Sequence, residues 1–210
     1  MNYFITATDT DAGKTYISRL LIESLRAEGK DVVGYKAICC GDRNDALSLA
    51  AAAGEGDDAL DAINPVWLKT PAAPHVAAML ENQELTLESL IEGYRRRAEG
   101  RDGVIVEGVG GWLVPITREL TVADFAKALG LPVILVVRNQ LGALNHTLLT
   151  VESMRAHGIE PAGLIFNHLQ DELDTAAITN KGIIEDLCGV EVMTDVIHGQ
   201  ESIEAWPFMD

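Results

Sequence analysis

The sequence predicts a doubly wound α/β fold, in which a mostly parallel sheet carries helices on both faces. Short apolar runs of strand length alternate along the chain with longer stretches of helical character. Several of these runs, such as Val133–Val137, are apolar without alternation, as expected for strands covered on both faces. The chain has 210 residues, 48% of them hydrophobic, which predicts a single domain over residues 1–210.

The predicted elements follow one another in a regular order. The predicted strands are Tyr3–Ala7, Val32–Ala37, Val104–Glu107, Val133–Val137, Gly163–Asn167 and Val190–Val196. The predicted helices are Thr15–Glu28, Asp45–Ala53, Leu85–Glu99, Val122–Leu129, Ala143–His157 and Asp174–Leu187. Gly29, Gly130 and Gly158 follow three of these helices, as C-cap glycines do. The acidic segment Gly54–Pro74 has neither the apolar run of a strand nor the pattern of a helix, and it is predicted to be an irregular surface excursion.

Composition and charge exclude several classes of partner. The formal net charge is -16, so the chain lacks the basic surface that nucleic acid or an anionic membrane requires. No apolar run approaches the roughly 20 residues of a membrane-spanning helix. The chain has three cysteines and begins with a strand rather than a signal peptide, which predicts a cytoplasmic protein without a disulfide framework.

The segment TATDTDAGKTY, residues 6–16, carries the strongest functional signal. It lies between a predicted strand and a predicted helix and ends in Gly-Lys-Thr, although Thr8 stands where the phosphate-loop motif G-x-x-x-x-G-K-[ST] has its first glycine. Gly13 would allow close approach of a phosphate, Lys14 would reach the β- and γ-phosphates, and Thr15 would bind Mg²⁺. The alternative is a helix N-terminus that carries Gly-Lys-Thr by chance.

Two carboxylates and a second lysine could complete a nucleotide site. Glu107 ends an apolar strand before glycines, which fits an Mg²⁺ ligand or an ordinary strand-end acid. Asp45 opens a predicted helix and, by itself, is better interpreted as an N-cap. Lys36 closes the strand VVGYKA and, if this strand is next to the first, points at the same phosphates as Lys14. A snorkelling lysine at the sheet edge is the alternative.

Eight short motifs follow one another along the chain: TDTDAGKT, GYKA, NDAL, PAAPHVAA, EGVGGWLVP, LPVILVV, LGALNHTLLT and AGLIFN. In this order and spacing they resemble the dethiobiotin synthetase family, and the resemblance extends to about Asn167. It implies a P-loop NTPase-like fold, dependence on ATP and Mg²⁺, and a homodimer whose sites lie at the subunit interface.

The resemblance also implies the reaction, which is a step of biotin biosynthesis. Such a ligase carboxylates 7,8-diaminononanoate with CO2 and closes the ring through a carbamate and a carbamic-phosphoric anhydride. The products are dethiobiotin, ADP and phosphate. Lys36 would offset the repulsion between carbamate and γ-phosphate, with Lys14 on the phosphates and Thr10 beside the reacting groups.

The binding residues that the resemblance implies fall into three sets. The nucleotide would contact Asp11, Ala12, Gly13, Lys14, Thr15, Tyr16, Glu107, Gly108, Val109, Gly110 and Asn167, the last of these at the adenine. Mg²⁺ would be bound by Thr15, Asp45 and Glu107. The diamine would contact Cys40, and its carboxylate would meet the backbone N–H groups of a partner subunit's Gly142, Ala143, Leu144 and Asn145.

The chain departs from the family's pattern at several positions. Ala7 replaces the first loop glycine, Ala37 replaces a proline after the lysine, and Cys40 replaces a hydroxyl residue at the substrate. The C-terminal segment also lacks a clear proline-rich loop at the adenine side. These departures leave open a related ligase that acts on a different amine. A nucleotide-dependent dimerising switch is the other alternative, although the early lysine of such loops is absent at Ala7 and Thr8.

Overall fold

The computed structural model describes residues 1–172 and 174–209 and has a parallel sheet at its centre. The strands are β1 (Tyr3–Ala7), β2 (Val32–Tyr35), β3 (Ile38–Cys40), β4 (Val66–Leu68), β5 (Gly103–Glu107), β6 (Val133–Arg138), β7 (Gly163–Asn167) and β8 (Val192–Val196). Six of them form the main sheet in the order β2-β5-β1-β6-β7-β8, and each neighbouring pair is parallel. The predicted fold class is therefore confirmed.

Helices connect the strands and cover the sheet. They are α1 (Lys14–Ala27), α2 (Asn44–Ala52), α3 (Leu60–Ile63), α4 (Pro74–Glu81), α5 (Leu87–Ala98), α6 (Val122–Leu129), α7 (Ala143–Ala156) and α8 (Thr175–Cys188). Strands β1, β5 and β7 are buried along their whole length, including their polar residues Thr6, Glu107 and Asn167. Among the helices of the described residues, none combines the length and the apolar character needed to cross a bilayer.

The segment Gly54–Pro74 is more ordered than its sequence predicted. It contains α3 and β4, and β4 pairs in parallel with β3 to form a second, two-stranded sheet. Ile63 and Leu68 in this segment are fully buried, which explains why it packs against the domain. The prediction of an irregular excursion was therefore wrong, and α4, which follows the segment, was not predicted.

The sheet brings the ends of β1, β5 and β2 to one edge. Glu107, the last residue of β5, pairs with Ile5, and the N–H of Gly108 donates to the Ile5 carbonyl at 2.9 Å. β5 lies between β1 and β2, so the strand before Lys36 is not adjacent to the first strand as the phosphate hypothesis had required. Lys36 lies one residue beyond the end of β2, where its side chain can still reach across to β5.

Candidate functional site

The loop between β1 and α1 forms a cradle for an anion. Gly13 has a φ of 93° and Asp11 a φ of 57°, both in the left-handed region. A Cβ atom on Gly13 would lie 2.0 Å from Nδ2 of Asn167, which donates to the Ala12 carbonyl at 2.9 Å. Glycine is thus required here by conformation and by space. Because α1 begins at Lys14, its first N–H groups have no partners within the helix and face the loop as donors.

The predicted side chains Thr15, Lys36, Asp45 and Glu107 meet beside this loop. Oγ1 of Thr15 lies 2.8 Å from Oδ1 of Asp45 and 2.8 Å from Oε1 of Glu107. Nζ of Lys36 lies 2.6 Å from Oε1 of Glu107 and 2.7 Å from Oδ2 of Asp45, and it donates to the Gly108 carbonyl at 3.0 Å. Four separate segments of the chain therefore supply one compact polar cluster.

The N-cap interpretation of Asp45 is wrong. Helix α2 has its N-cap at Arg43 and begins at Asn44, so Asp45 lies inside the first helical turn. Its carboxylate points to Lys36 and Thr15 rather than to the N–H groups of its own helix. An acid in the first turn also interacts favourably with the helix dipole, which helps to hold it in this place.

The oxygen atoms of this cluster are suited to a magnesium ion. The Thr15 hydroxyl carries one proton and can donate to only one of its two carboxylate neighbours. Oε2 of Glu107 is buried and has no hydrogen-bond partner among the described residues. These free lone pairs match the preference of Mg²⁺ for oxygen ligands. In the described ranges no group of three or more His, Cys, Asp and Glu could hold a metal, so phosphate or water oxygens would complete the coordination.

The two lysines of the site are both charged at neutral pH. Burial opposes the charge of Lys36, but Glu107 and Asp45 outweigh burial and raise the pKa of Lys36 above its ordinary value. Burial, together with the charge of Lys36, lowers the pKa of Lys14 to about 8. Burial would raise the pKa of Asp45, but the Lys36 ammonium holds it below its ordinary value. The site therefore presents two ammonium groups next to the phosphate loop.

A cavity of about 620 Å³ opens beside the cluster, within the range of small-molecule sites. The predicted residues that line it are Thr10, Asp11, Gly13, Lys14, Thr15, Lys36, Cys40, Asp45, Glu107, Val109 and Gly110. Cys40 is half-buried, and burial raises the pKa of its thiol to about 11, so the thiol is neutral in the pocket at physiological pH.

The remaining predicted residues lie outside this cavity. Ala12 is buried beneath the loop, and the Tyr16 hydroxyl donates to the carbonyl of Gln200 in the C-terminal segment. Asn167 is fully buried behind Gly13, and its Oδ1 has no hydrogen-bond partner in the described part of the chain. The segment from Gly142 to Asn145 begins α7; Gly142 and Asn145 are exposed, and neither lines the cavity.

Part of the cavity wall was missed by the sequence reasoning. The wall includes Cys39, Asp42, Val114 and the run Pro71, Ala72, Ala73 and Pro74. The run lies between β4 and α4, two short elements that the sequence did not reveal. The sequence NPVWLKT, with its two adjacent β-formers, was the available signal for β4.

Comparison with known proteins agrees with this geometry. A family profile described as an AAA domain matches residues 1–200. ATP-dependent dethiobiotin synthetase BioD from Akkermansia muciniphila is 42% identical over 97% of this chain and 95% of its own length. The protein of the same name from Methanocaldococcus jannaschii is 44% identical over 80% of both chains.

A solved structure supports the fold alone. The ParA family ATPase from Chlorobium tepidum superposes with a TM-score of 0.59 over 95% of this chain and 85% of its own, at 14% sequence identity. Such a low identity carries no information about activity. The matches to the two synthetases are different, because they combine an identity above 40% with coverage of at least 80% of both chains. The chain belongs to the ATP-dependent dethiobiotin synthetase family.

Proposed function

We propose that this chain is a dethiobiotin synthetase, which carboxylates 7,8-diaminononanoate with CO2 and closes the cyclic urea while ATP is converted to ADP and phosphate. The similarity to relatives of that name over nearly the whole chain supports the reaction. The single observation that carries the proposal is the buried ammonium of Lys36, held in a carboxylate pair beside the phosphate loop. Residues 1–210 would act as one domain.

Charge compensation explains why this reaction needs Lys36. A carbamate and a γ-phosphate are both anions, and unit charges about 4 Å apart repel by about 4 kcal/mol at an effective dielectric constant of about 20. The ammonium of Lys36 is almost inaccessible to solvent, with 3% of its side chain exposed, so water screens it little. Lys14, also buried, would bind the phosphates themselves, and Thr10 at the cavity wall would contact the reacting groups.

Mg²⁺ is the second part of the proposal. Thr15, Asp45 and Glu107 would hold the ion, supported by the free lone pair of Glu107 and the single proton of the Thr15 hydroxyl. The ion supplies positive charge to phosphate oxygens when it is bound. The nucleotide would lie along residues 11–16 and 107–110, and Asn167 would contact its adenine ring.

A homodimer with the site at the subunit interface is also proposed. Gly142 and Asn145 at the start of α7 are exposed and do not line the cavity, so they are available to a second subunit. Leu141 and Leu149 beside it are 80% and 63% exposed, and a partner would cover these apolar side chains. The N-terminal N–H groups of α7 would then receive the substrate carboxylate, while Cys40 lines the diamine's other end. The predicted cytoplasmic location stays a prediction.

The test of the activity is ADP release with Mg-ATP and bicarbonate, measured with and without 7,8-diaminononanoate. Strict dependence of ADP release on the diamine supports the proposal. Equal ADP release with and without the diamine would refute the proposed function and favour a nucleotide-dependent switch.

The shared site can be tested by mixing two inactive variants. Lys36→Ala damages the cavity, and Asn145→Asp places a negative charge where the substrate carboxylate would bind. In a mixed dimer one site carries both defects and the other carries none. Mixing should therefore restore about a quarter of the normal activity. No recovery in dimers that demonstrably exchange subunits would contradict the shared site.

A related ligase acting on a different amine is the second candidate. The observation that favours it is Cys40, whose neutral thiol is a weaker hydrogen-bond partner than a hydroxyl at the cavity wall. A panel of aliphatic diamines of different length, compared by kcat/KM, separates the two candidates. A clear preference for a diamine other than 7,8-diaminononanoate would favour the second.

A further inference from the structure

Two residues at the end of α3 hold the backbone of Lys36. Lys36 follows β2, which is an edge strand of the main sheet. Its backbone N–H donates to the Ile63 carbonyl at 2.9 Å, and its backbone carbonyl accepts a hydrogen bond from Nδ2 of Asn64 at 2.9 Å. Both polar groups of the Lys36 backbone are therefore bound by two consecutive residues, Ile63 and Asn64.

The side chain of Asn64 is buried and uses both of its N–H groups. Asn64 is 1% exposed, and it does not line the cavity. Nδ2 donates a second hydrogen bond to the Val66 carbonyl at 2.9 Å, and Oδ1 accepts one from Nε of Arg43 at 3.1 Å. An amide combines two donors on one atom with an acceptor on the other. A carboxylate or an apolar side chain of the same size could not make these three bonds.

Arg43 determines which way the amide of Asn64 faces. A guanidinium is only a donor, so Oδ1 of Asn64 must face Arg43 and Nδ2 must face Lys36. Arg43 also donates to the carbonyls of Leu60 at 2.9 Å and Asn64 at 3.0 Å, and it pairs with Asp61 at 3.0 Å. These three contacts do not involve the Asn64 side chain. They should therefore survive its substitution and keep the start of α2 in place.

The position of the Lys36 ammonium is set from both ends of the residue. At the far end Nζ lies 2.6 Å from Glu107, 2.7 Å from Asp45 and 3.0 Å from the Gly108 carbonyl. At the near end the amide of Asn64 holds the backbone carbonyl. A lysine side chain is a flexible four-carbon stem, so a loosened backbone lets the ammonium take other positions. A displacement of about 1 Å at a reacting centre can lower a rate about a hundredfold.

We propose that Asn64 is a positioning residue for the reaction, whose amide holds the backbone of Lys36 and so keeps the Lys36 ammonium beside the carbamate and the γ-phosphate. This inference rests on the proposed function and adds to it a residue that contacts neither substrate nor nucleotide. Asn64 acts on turnover only through Lys36, so binding of Mg-ATP should not depend on it.

Two substitutions in the full chain test this role. Asn64→Ala removes the amide, and Asn64→Asp keeps its shape and its acceptor for Arg43 but removes both N–H donors. The new carboxylate can pair with the Arg43 guanidinium, so the second variant serves if the first does not fold. Asn2→Ala is the matched control, because the Asn2 amide accepts the backbone N–H of Val104 at 2.9 Å, at the end of β5 opposite Glu107.

The turnover test compares each substitution in wild type and in Lys36→Ala. In wild type both Asn64 variants should lower kcat about a hundredfold per folded molecule, with the KM for ATP and the Mg²⁺ requirement within about twofold of normal. In Lys36→Ala they should change kcat by less than about twofold, because the side chain that they misplace is already gone. An equal loss in both backgrounds, or a change in ATP or Mg²⁺ binding without a loss of kcat, would overturn the inference.

Chemical labelling of Lys36 tests the positioning without the reaction. The Lys36 side chain is 3% exposed, so an acetylating reagent should reach it slowly in wild type and in Asn2→Ala. In the Asn64 variants Lys36 should be acetylated about tenfold faster, as measured by mass spectrometry, while exposed Lys127 reacts at one rate throughout. If wild type releases no ADP in response to the diamine, the proposed function fails, and the labelling still decides the role of Asn64. Unchanged labelling of Lys36 in a folded Asn64 variant would overturn the inference.

Discussion

Replacing Lys36 with alanine removes a buried ammonium, and we expect kcat to fall about a thousandfold. Nζ of Lys36 lies 2.6 Å from Glu107 and 3.0 Å from the Gly108 carbonyl, next to the phosphate loop. A charge about 4 Å from the reacting anions contributes about 4 kcal/mol at an effective dielectric constant of about 20. Each factor of ten in rate corresponds to about 1.4 kcal/mol, so the loss amounts to about three powers of ten.

The same substitution also affects stability, and the assay must separate the two effects. The Glu107 side chain is fully buried and would lose its cation, which typically costs about 3–5 kcal/mol. Circular dichroism and calorimetric binding of Mg-ATP establish the folded fraction of Lys36→Ala. ADP release is then measured at saturating substrates and expressed per folded molecule. Lys127→Ala, on the exposed face of α6, is the matched control.

Chemical rescue makes the result specific to the lost ammonium. Methylammonium added to Lys36→Ala should restore part of the turnover, because the small cation can enter the space that the side chain leaves. It should have no effect on Lys127→Ala. Turnover of folded Lys36→Ala within about tenfold of wild type would refute the assignment of charge compensation to Lys36.

Three further outcomes are expected. Gly13→Ala should lower the free energy of unfolding by about 2–4 kcal/mol in urea, because its φ is 93° and the new Cβ would meet Asn167; an unchanged midpoint would contradict this. Cys40 should react with iodoacetamide at pH 8 about a hundredfold more slowly than in the unfolded chain, since burial raises the pKa of the thiol to about 11; mass spectrometry that found equal rates would exclude a neutral thiol. Glu55→Ala should lower the free energy of unfolding by about 3–5 kcal/mol, because it leaves the buried guanidinium of Arg97 without its carboxylate; a loss below about 1 kcal/mol would contradict this ion-pair argument.

The main sheet could be predicted because each of its strands is a mostly apolar run of four to six residues. Strand β6, for instance, was predicted from five successive apolar residues, which are too few for a helix and are mostly β-branched. Strands β3 and β4 have three residues each, too few to show a period, and were missed. They exist because they pair with each other, which is a long-range contact that a local pattern does not contain.

The order of the strands was also beyond local reasoning, and this affected the argument for Lys36. The condition placed on Lys36, that its strand lies beside β1, is not met, because β5 lies between the two strands. The Lys36 ammonium nevertheless lies in the site, because it donates a hydrogen bond to Glu107, the last residue of β5. The residue types therefore predicted the correct cluster. Which strands bring these residues together depends on the sheet topology, which the residue types do not show.

The cavity rim is the part of the site that the sequence predicted least well. Asp42, which lines the cavity, was not identified from the sequence. The neighbouring Arg43 side chain lies against Asn64 and Trp67, a contact that a sequence pattern cannot reveal. The phosphate loop is different, since its residues are adjacent in the chain and its geometry follows from a single strand, turn and helix.

The most direct test of the proposed reaction is the mass of the product formed from isotope-labelled bicarbonate, 7,8-diaminononanoate and Mg-ATP. We expect a product with the mass of dethiobiotin that carries the label, with one molecule of ADP formed for each molecule of product. ADP formation without a labelled product, or a labelled carbamate that never closes into the cyclic urea, would contradict the assignment of this chain as a dethiobiotin synthetase.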